Sequence, residues 1–337
     1  EGDHGSSVFG APDIVAGMLA AFVSAFDSDD PVSALEVGER PAPDVPDGWV
    51  AVQVKAASLN HHDLWSLRGV GLAQSALPMI LGCDAAGLDA DGREVIVHSV
   101  IGSAAAGGGD ETFDPGRSLL SEKHQGTFAE WVAVPAQNVL PKPAALSFQQ
   151  AACLPTAWLT AYRMLFTRGG LQPGETVLIQ GTGGGVASAA IMLARQAGAR
   201  VWATTRDKAD FGSELGAHAV FESGQRLPHR VDLVIETVGQ ATWSHSVRSL
   251  RPGGRLVVSG ATTGGQPPAE LNHVFFRQLS VIGSTMGTSA ELRRLMDMCE
   301  ATGLRPPIDA EYPLAEARQA FQRLAAGDVR GKLVLTP

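Results

Sequence analysis

The sequence predicts an α/β protein of two domains, a β-rich one first and a doubly wound parallel sheet after it. Three observations carry this. Residues 175–208, ETVLIQGTGGGVASAAIMLARQAGARVWATTRDK, read as strand, glycine turn, helix, strand. From residue 176 to 283 strand-like runs alternate with helical or turn segments, the pattern of a parallel sheet wound on both faces. Before residue 150 the period is two instead, as in 49–55, WVAVQVK, with Val at every second position, which marks a half-buried strand. At 337 residues the chain is too long for one ordinary core, so two domains are expected.

Composition narrows the class. Apolar residues make up 45% and charged residues 18%, as in a soluble globular protein with a large core. Lys and Arg number 26 against 35 Asp and Glu, a net charge of −9, which argues against nucleic acid or an anionic membrane as partner. Cys83, Cys153 and Cys299 are odd in number and scattered, so a reducing compartment fits better than a disulfide framework. Residues 14–26 are apolar but too short to span a bilayer, which takes ~20 residues. No basic residue precedes Arg40, so the charged region of a signal peptide is missing. The expectation is a cytoplasmic protein in which a buried strand begins near Met18 and residues 1–17 are an extension or expression remnant.

In order along the chain, Pro41, Pro43 and Pro46 bracket the turn before the strand at 49–55. Residues 60–67 suit a short helix ended by Gly69 and Gly71, and 94–98 and 127–135 read as further strands. Residues 102–126 are rich in Gly, Ala and Ser and aperiodic, a loop either functional or mobile. Six strand runs follow, at 177–180, 201–205, 219–221, 232–235, 256–259 and 280–283. Residues 289–303 read as an amphipathic helix, and 331–335 as a closing strand returning to the first domain. The expected division is 18–150 and 288–337 for the first domain, with 151–287 inserted as the second.

The glycine turn has the context of a dinucleotide site: it follows a strand and opens a helix. Gly181 and Gly184 permit the tight turn and let backbone N–H groups of Thr182, Gly185 and Val186 approach a pyrophosphate. Ala187 is small enough for the helix to press on the strand. Thr204 and Thr205 end the second strand, where an enzyme using NAD keeps Asp or Glu for the ribose. No carboxylate there repels a 2′-phosphate, and Arg206 and Lys208 can pair with one, so NADPH is expected over NADH. Arg206 and Lys208 also suit a plain solvated helix start. Val238, Gly260, Ala261 and Thr262 follow later strands on the carboxyl edge, where ligands bind in such sheets.

These pieces together resemble the medium-chain dehydrogenase/reductase superfamily. The match runs through ASLNHHD (57–63), LGCDAAG (81–87), GTFAE (126–130), TAY (160–162), the glycine turn, LRPGGR (250–255) and GKLVL (331–335). It implies a GroES-like catalytic domain completed by the C-terminal segment, with a Rossmann domain inserted and the active site between them. Zinc alcohol dehydrogenases of this superfamily hold the metal with two Cys and one His. The resemblance places Asn60 and Thr156 at the two Cys positions, and these bind zinc poorly. Residues 102–126 stand where those enzymes carry structural-zinc cysteines, and they contain none. The pattern is similar to the zinc-free quinone oxidoreductase branch, related to zeta-crystallin and polyketide enoyl reductases, and no metal is expected.

The resemblance puts Asn60 beside the nicotinamide with Asp63 as its hydrogen-bonded support, Tyr162 near the cofactor, and Lys332 approaching it. The plainer alternatives are a helix cap for Asn60 and Asp63, packing for Tyr162, and a surface position for Lys332. His61 and His62 diverge by about 100° on a helix and do not easily share a metal; Cys83 reads as a small buried hydrophobe. Solvent is expected to supply the proton; His62 is the best side-chain candidate for it, with a ring hydrogen-bonded to Asp63 or the backbone as the plainer alternative. The activity implied is hydride transfer from NADPH to a quinone or an α,β-unsaturated carbonyl compound. A zinc-type alcohol dehydrogenase and a nucleotide-binding protein with a structural or sensing role are the alternatives. The run 279–284, an apolar sheet edge, is expected to pair with its own copy in a homodimer.

Overall fold

The computed structural model describes residues 17–337; of the expected extension only Gly17 falls within them. Ten strands precede the parallel sheet: β1 (Met18–Val23), β2 (Leu35–Arg40), β3 (Trp49–Ser58), β4 (Met79–Ile80), β5 (Asp84–Leu88), β6 (Glu94–Val97), β7 (Val100–Ile101), β8 (Ser118–Leu119), β9 (Trp131–Pro135) and β10 (Val139–Pro141). Six more form the parallel sheet: β11 (Thr176–Gln180), β12 (Arg200–Thr205), β13 (Ala219–Glu222), β14 (Val231–Glu236), β15 (Leu250–Val258) and β16 (Ser280–Gly283). Two close the chain, β17 (Ile308–Pro313) and β18 (Lys332–Thr336).

The parallel sheet runs β13-β12-β11-β14-β15-β16, so the order reverses beside β11, where a dinucleotide crevice opens in such sheets. Its inner strands read as unbroken apolar runs because both faces are covered; all five residues of β11 are buried. The other large sheet runs β10-β6-β5-β3-β18-β17, with β9 also on β3. The last strand of the chain thus lies beside β3, at Val334–Ser58 and Leu335–Ala57. The fold is therefore the GroES-like sheet plus Rossmann sheet that the resemblance implies.

The helices are α1 (His61–Leu67), α2 (Phe148–Ala152), α3 (Leu159–Tyr162), α4 (Gly185–Gln196), α5 (Ala209–Glu214), α6 (Trp243–Ser249), α7 (Leu271–Phe276), α8 (Ser289–Thr302) and α9 (Ala317–Ala326). A wide π turn at Leu154–Trp158 links α2 to α3, and a second at Arg163–Arg168 continues α3, a feature frequent near functional sites. α8 buries Leu292, Leu295, Met296 and Cys299 in the same core as β11 and α4. The same core also takes in Ala56 of β3, Ala86 of β5 and Val334 of β18.

Two expectations shift. Residues 127–130 do not extend β9. Phe128 instead bonds Leu81 and Ala21 through its backbone, and the Thr127 hydroxyl donates to the Asp84 carbonyl at 2.8 Å. The segment 102–126 is not structureless, since β8 pairs with β7 and a 3-10 turn spans Glu111–Phe113. What holds it is Arg163, buried, whose guanidinium donates to Asp110 at 2.5 Å and to Glu291 of α8 at 2.7 Å. A buried guanidinium satisfied on both sides fixes geometry in a way that exposed pairs do not.

Candidate active site and dinucleotide turn

Asn60 ends β3 and caps α1. Its backbone N–H donates to the Asp63 carboxylate at 2.7 Å, which answers one of the free donors of a helix start. Its side chain is fully used. Nδ2 donates to Asp84 at 2.8 Å and to the Ser58 carbonyl at 3.3 Å, and Oδ1 accepts from the Lys332 ammonium at 2.7 Å. Lys332 also donates to the Leu59 carbonyl at 2.5 Å and lies 3.7 Å from Asp84. All three side chains are buried. Burial pushes the Asp84 carboxyl above the usual carboxylate range, against the pull of Lys332, Asn60, Thr156 and Ser58. One Asp84 oxygen, Oδ1, is buried without a hydrogen bond.

Asn60 thus directs both amide hydrogens into the fold, and Lys332 is buried, not a surface lysine, with Asp84 3.7 Å from its ammonium. The network also bears on zinc. Asn60 is committed to a cation and a carboxylate, and Thr156 faces the Ser99 hydroxyl at 3.5 Å, so this pair does not fit the metal of the alcohol dehydrogenases.

Tyr162 is not brought to Asn60. Its ring packs on Phe166, 4.9 Å between centroids. Burial raises its hydroxyl pKa, and its ionic neighbours, Arg294, Glu291 and Asp297, all belong to α8. His62 turns away from His61. Its Nε2 meets the Glu122 carboxylate at 2.9 Å, and its Nδ1 faces the Cys83 sulfur at 3.4 Å and Asp63 at 3.7 Å. Burial opposes its charge, but Cys83, Asp63 and Glu122 outweigh that and lift it well above the ordinary imidazole value. With both ring nitrogens occupied, His62 has no N–H left for a substrate. His61 is exposed, and the protein crowding it, then Lys332, push its pKa down. Sequence reading weighed His61 only as a metal ligand and passed over Glu122, whose link to His62 spans 60 residues.

The glycine turn divides its roles. Gly181 has φ +96°, which favours glycine. Gly184 does not share that need, contrary to expectation: it is the extended cap of α4 at φ −75°, and a Cβ added there meets nothing within 4 Å. Its openness at the start of a 12-residue helix is the cradle a pyrophosphate requires. Gly185 is needed for close approach, since a Cβ would stand 2.7 Å from Lys332 Cδ and 3.1 Å from Ala157. Val186 is half-buried behind it, and the Gly183 carbonyl accepts from Gly331 N–H at 2.8 Å. Nucleotide turn, β18 and Asn60 therefore touch one another.

At the end of β12, Thr204 is buried and donates to Gln180 at 2.7 Å. Thr205 accepts from the Thr182 hydroxyl at 3.2 Å and from Lys208 N–H at 3.0 Å, so both threonines and Thr182 build the turn. The Lys208 ammonium donates to the carbonyls of Gly327 at 2.7 Å and Val329 at 3.0 Å. Arg206 remains exposed at the strand end. Val238 N–H donates to buried Glu236 at 2.8 Å. Thr262 and Thr263 bond back to Thr237 and Val238, and Gly260 lies against Thr237, where a Cβ would meet a carbonyl at 2.9 Å. With Ala261 against Gly239, two loops are tied together on the carboxyl edge of the sheet.

The comparisons with known proteins agree with this architecture. An alcohol dehydrogenase GroES-like domain model matches residues 46–144, and a zinc-binding dehydrogenase model matches residues 214–335. A 2-methylene-furan-3-one reductase of Solanum lycopersicum is 32% identical over 88% of this chain and 73% of its own. A quinone oxidoreductase of Mus musculus is 28% identical over 85% and 88%. Among solved structures, an NAD-dependent alcohol dehydrogenase superposes with TM-score 0.86 at 32% identity, covering 95% of this chain and 100% of that one. The 2-octenoyl-CoA carboxylase reductase CinF, in complex with NADP and 2-octenoyl-CoA, does so at 0.90 and 26%, covering 98% and 89%.

The fold and the site define an oxidoreductase built on a nicotinamide-dinucleotide scaffold. The chain belongs to the medium-chain dehydrogenase/reductase superfamily, among relatives that include quinone and carbon–carbon double-bond reductases. Among the described residues no helix is long and apolar enough to cross a membrane.

The turn generates a prediction. Gly184→Val leaves the fold nearly untouched, within about 0.5 kcal/mol by urea unfolding, yet weakens dinucleotide binding at least ten-fold. Equal binding by parent and variant would show that the open cradle is not the cofactor's.

Proposed function

We propose that this chain is an NADPH-dependent reductase of a quinone or an α,β-unsaturated carbonyl compound, working without zinc at the Asn60–Thr156 position. The observation that carries this is the commitment of Asn60 to Lys332 and Asp84. The bound dinucleotide supplies the hydride; the chain supplies orientation and charge stabilisation.

A carbonyl reduced directly becomes an alkoxide, and zinc enzymes stabilise that localised charge with the metal. Here the Lys332 ammonium is already bound to Leu59 and Asn60. A conjugated acceptor spreads its charge to an enolate or quinol oxygen, which hydroxyl and amide donors stabilise. Thr156 and Ser99 supply hydroxyls next to Asp84. Solvent supplies the proton, since both nitrogens of His62 are engaged. The alcohol dehydrogenase reading draws on the family models' names and on the NAD-dependent relative; the donor set at Asn60 and Thr156 speaks against it.

NADPH is the cofactor on two grounds. Thr205 offers no carboxylate and Arg206 stands free at the strand end, and CinF was solved with NADP. The chain acts as a homodimer through β16, which pairs only with β15 in its sheet. Exposed Val281 lies on that strand, and Leu271, Phe275 and Phe276 of the preceding α7 are exposed as well. An apolar sheet edge of this kind calls for a cover.

Three measurements test this. With NADPH deuterated at its transferable position and an enone, the label is expected at the β-carbon of a saturated ketone; label on the carbinol carbon of an allylic alcohol would overturn the mechanism. Loss of a charge-assisted contact costs about 1.5–3 kcal/mol, so Arg206→Ala weakens NADPH ten-fold or more and leaves NADH unchanged. Equal parent affinities for the two cofactors refute the assignment. Light scattering at micromolar concentration gives a dimer mass for the parent and a monomer mass for Phe276→Asp; a monomeric parent removes the dimer.

A further inference from the structure

Outside the Asn60–Asp84–Lys332 network, α1 and the segment 120–122 bring together a second set of side chains. His62 Nδ1, an Asp63 carboxylate oxygen and the Cys83 sulfur all lie within 4.8 Å of one another. Asp63 uses Oδ2 to cap Asn60, and its other oxygen, Oδ1, is buried with no hydrogen bond. The His62 nitrogen at 3.7 Å is too far to serve it. An orphaned carboxylate oxygen in a buried place is costly, and here it faces a sulfur and an imidazole nitrogen.

The geometry points to a site for a thiophilic divalent cation, of the zinc or cobalt kind, held by His62 Nδ1, Asp63 Oδ1 and the Cys83 sulfur. Tetrahedral zinc with a nitrogen at ~2.0 Å and a sulfur at ~2.3 Å sets these two atoms about 3.5 Å apart. They stand 3.4 Å apart here. Metal-bound histidines present their second ring nitrogen to a carboxylate, which fixes ring and tautomer. Glu122 does this at 2.9 Å. The His62 side chain retains 19% exposure, which leaves a way in and a fourth place open to water. On binding, the Cys83 thiol and the His62 Nδ1 both give their protons to solvent, and the thiolate and the neutral imidazole become ligands. Cys83 stands where the resemblance places the histidine ligand of the alcohol dehydrogenases, and Asp63 also caps Asn60. The site therefore borders that metal position, and its ligand set differs from it by taking His62 and Asp63 in place of Asn60 and Thr156.

The test is titration of chelator-treated, full-length protein with cobalt(II), read by thiolate-to-cobalt charge-transfer absorption and by equilibrium dialysis. One equivalent and a charge-transfer band are expected. The chain has three cysteines, so the band must persist in Cys153→Ser and in Cys299→Ser and vanish in Cys83→Ser. Glu122→Gln keeps the band and weakens binding about 10–100-fold. Absence of the band in the parent, or its loss in Cys153→Ser or Cys299→Ser, overturns the site even if Cys83→Ser does not fold. Neither readout involves turnover, so failure here and failure of the reductase reading are told apart.

Discussion

The rest of the structure depends on one desolvated charge, the ammonium of Lys332. A lysine in the interior is tolerated only where its donors are met, and two of the groups that meet it, the Leu59 carbonyl and Asn60 Oδ1, come from the junction of β3 and α1. The same side chain presses on Gly185 at the start of α4. Sheet closure, the cap of α1 and the position of the nucleotide turn are thereby set by a single residue. Removing either partner would strand a buried charge, so the three features stand or fall together.

The network also explains how a scaffold common to zinc enzymes and zinc-free reductases is diverted. A metal position is defined by the freedom of its ligands as much as by their identity. Asn60 could in principle offer an oxygen, but that oxygen already accepts from a cation. The Lys332 ammonium thus already stands against that oxygen. The carboxyl of Asp84, raised in pKa by its burial, lies 3.7 Å from the same ammonium.

The dinucleotide half of the molecule was legible in the sequence because its signals are local. Gly181, the open Gly184 and the apolar β11 lie within ten residues of one another, and their periods and turn chemistry need no distant partner. Side-chain roles were less legible for the opposite reason. Lys208 next to Thr205 has the composition of a phosphate site, yet it bonds carbonyls 119 and 121 residues away. Asn60 meets Lys332 across 272 residues, and His62 meets Glu122 across 60. Residues 102–126 lack periodicity because a buried guanidinium, Arg163, orders them in place of a repeating apolar face.

The pairing of β18 with β3 has a consequence for synthesis. The inner edge at Ala57 and Ser58 receives its partner, Val334 and Leu335, only when the far end of the chain appears. At a ribosomal rate of about 5–20 residues per second the gap is roughly ten to fifty seconds. During that interval β3 presents an unpaired edge to its surroundings, while the parallel sheet between the two can form on its own. The nascent protein is therefore most exposed to mispairing through the sheet that contains β3, and a chaperone that recognises extended apolar segments has its natural target there.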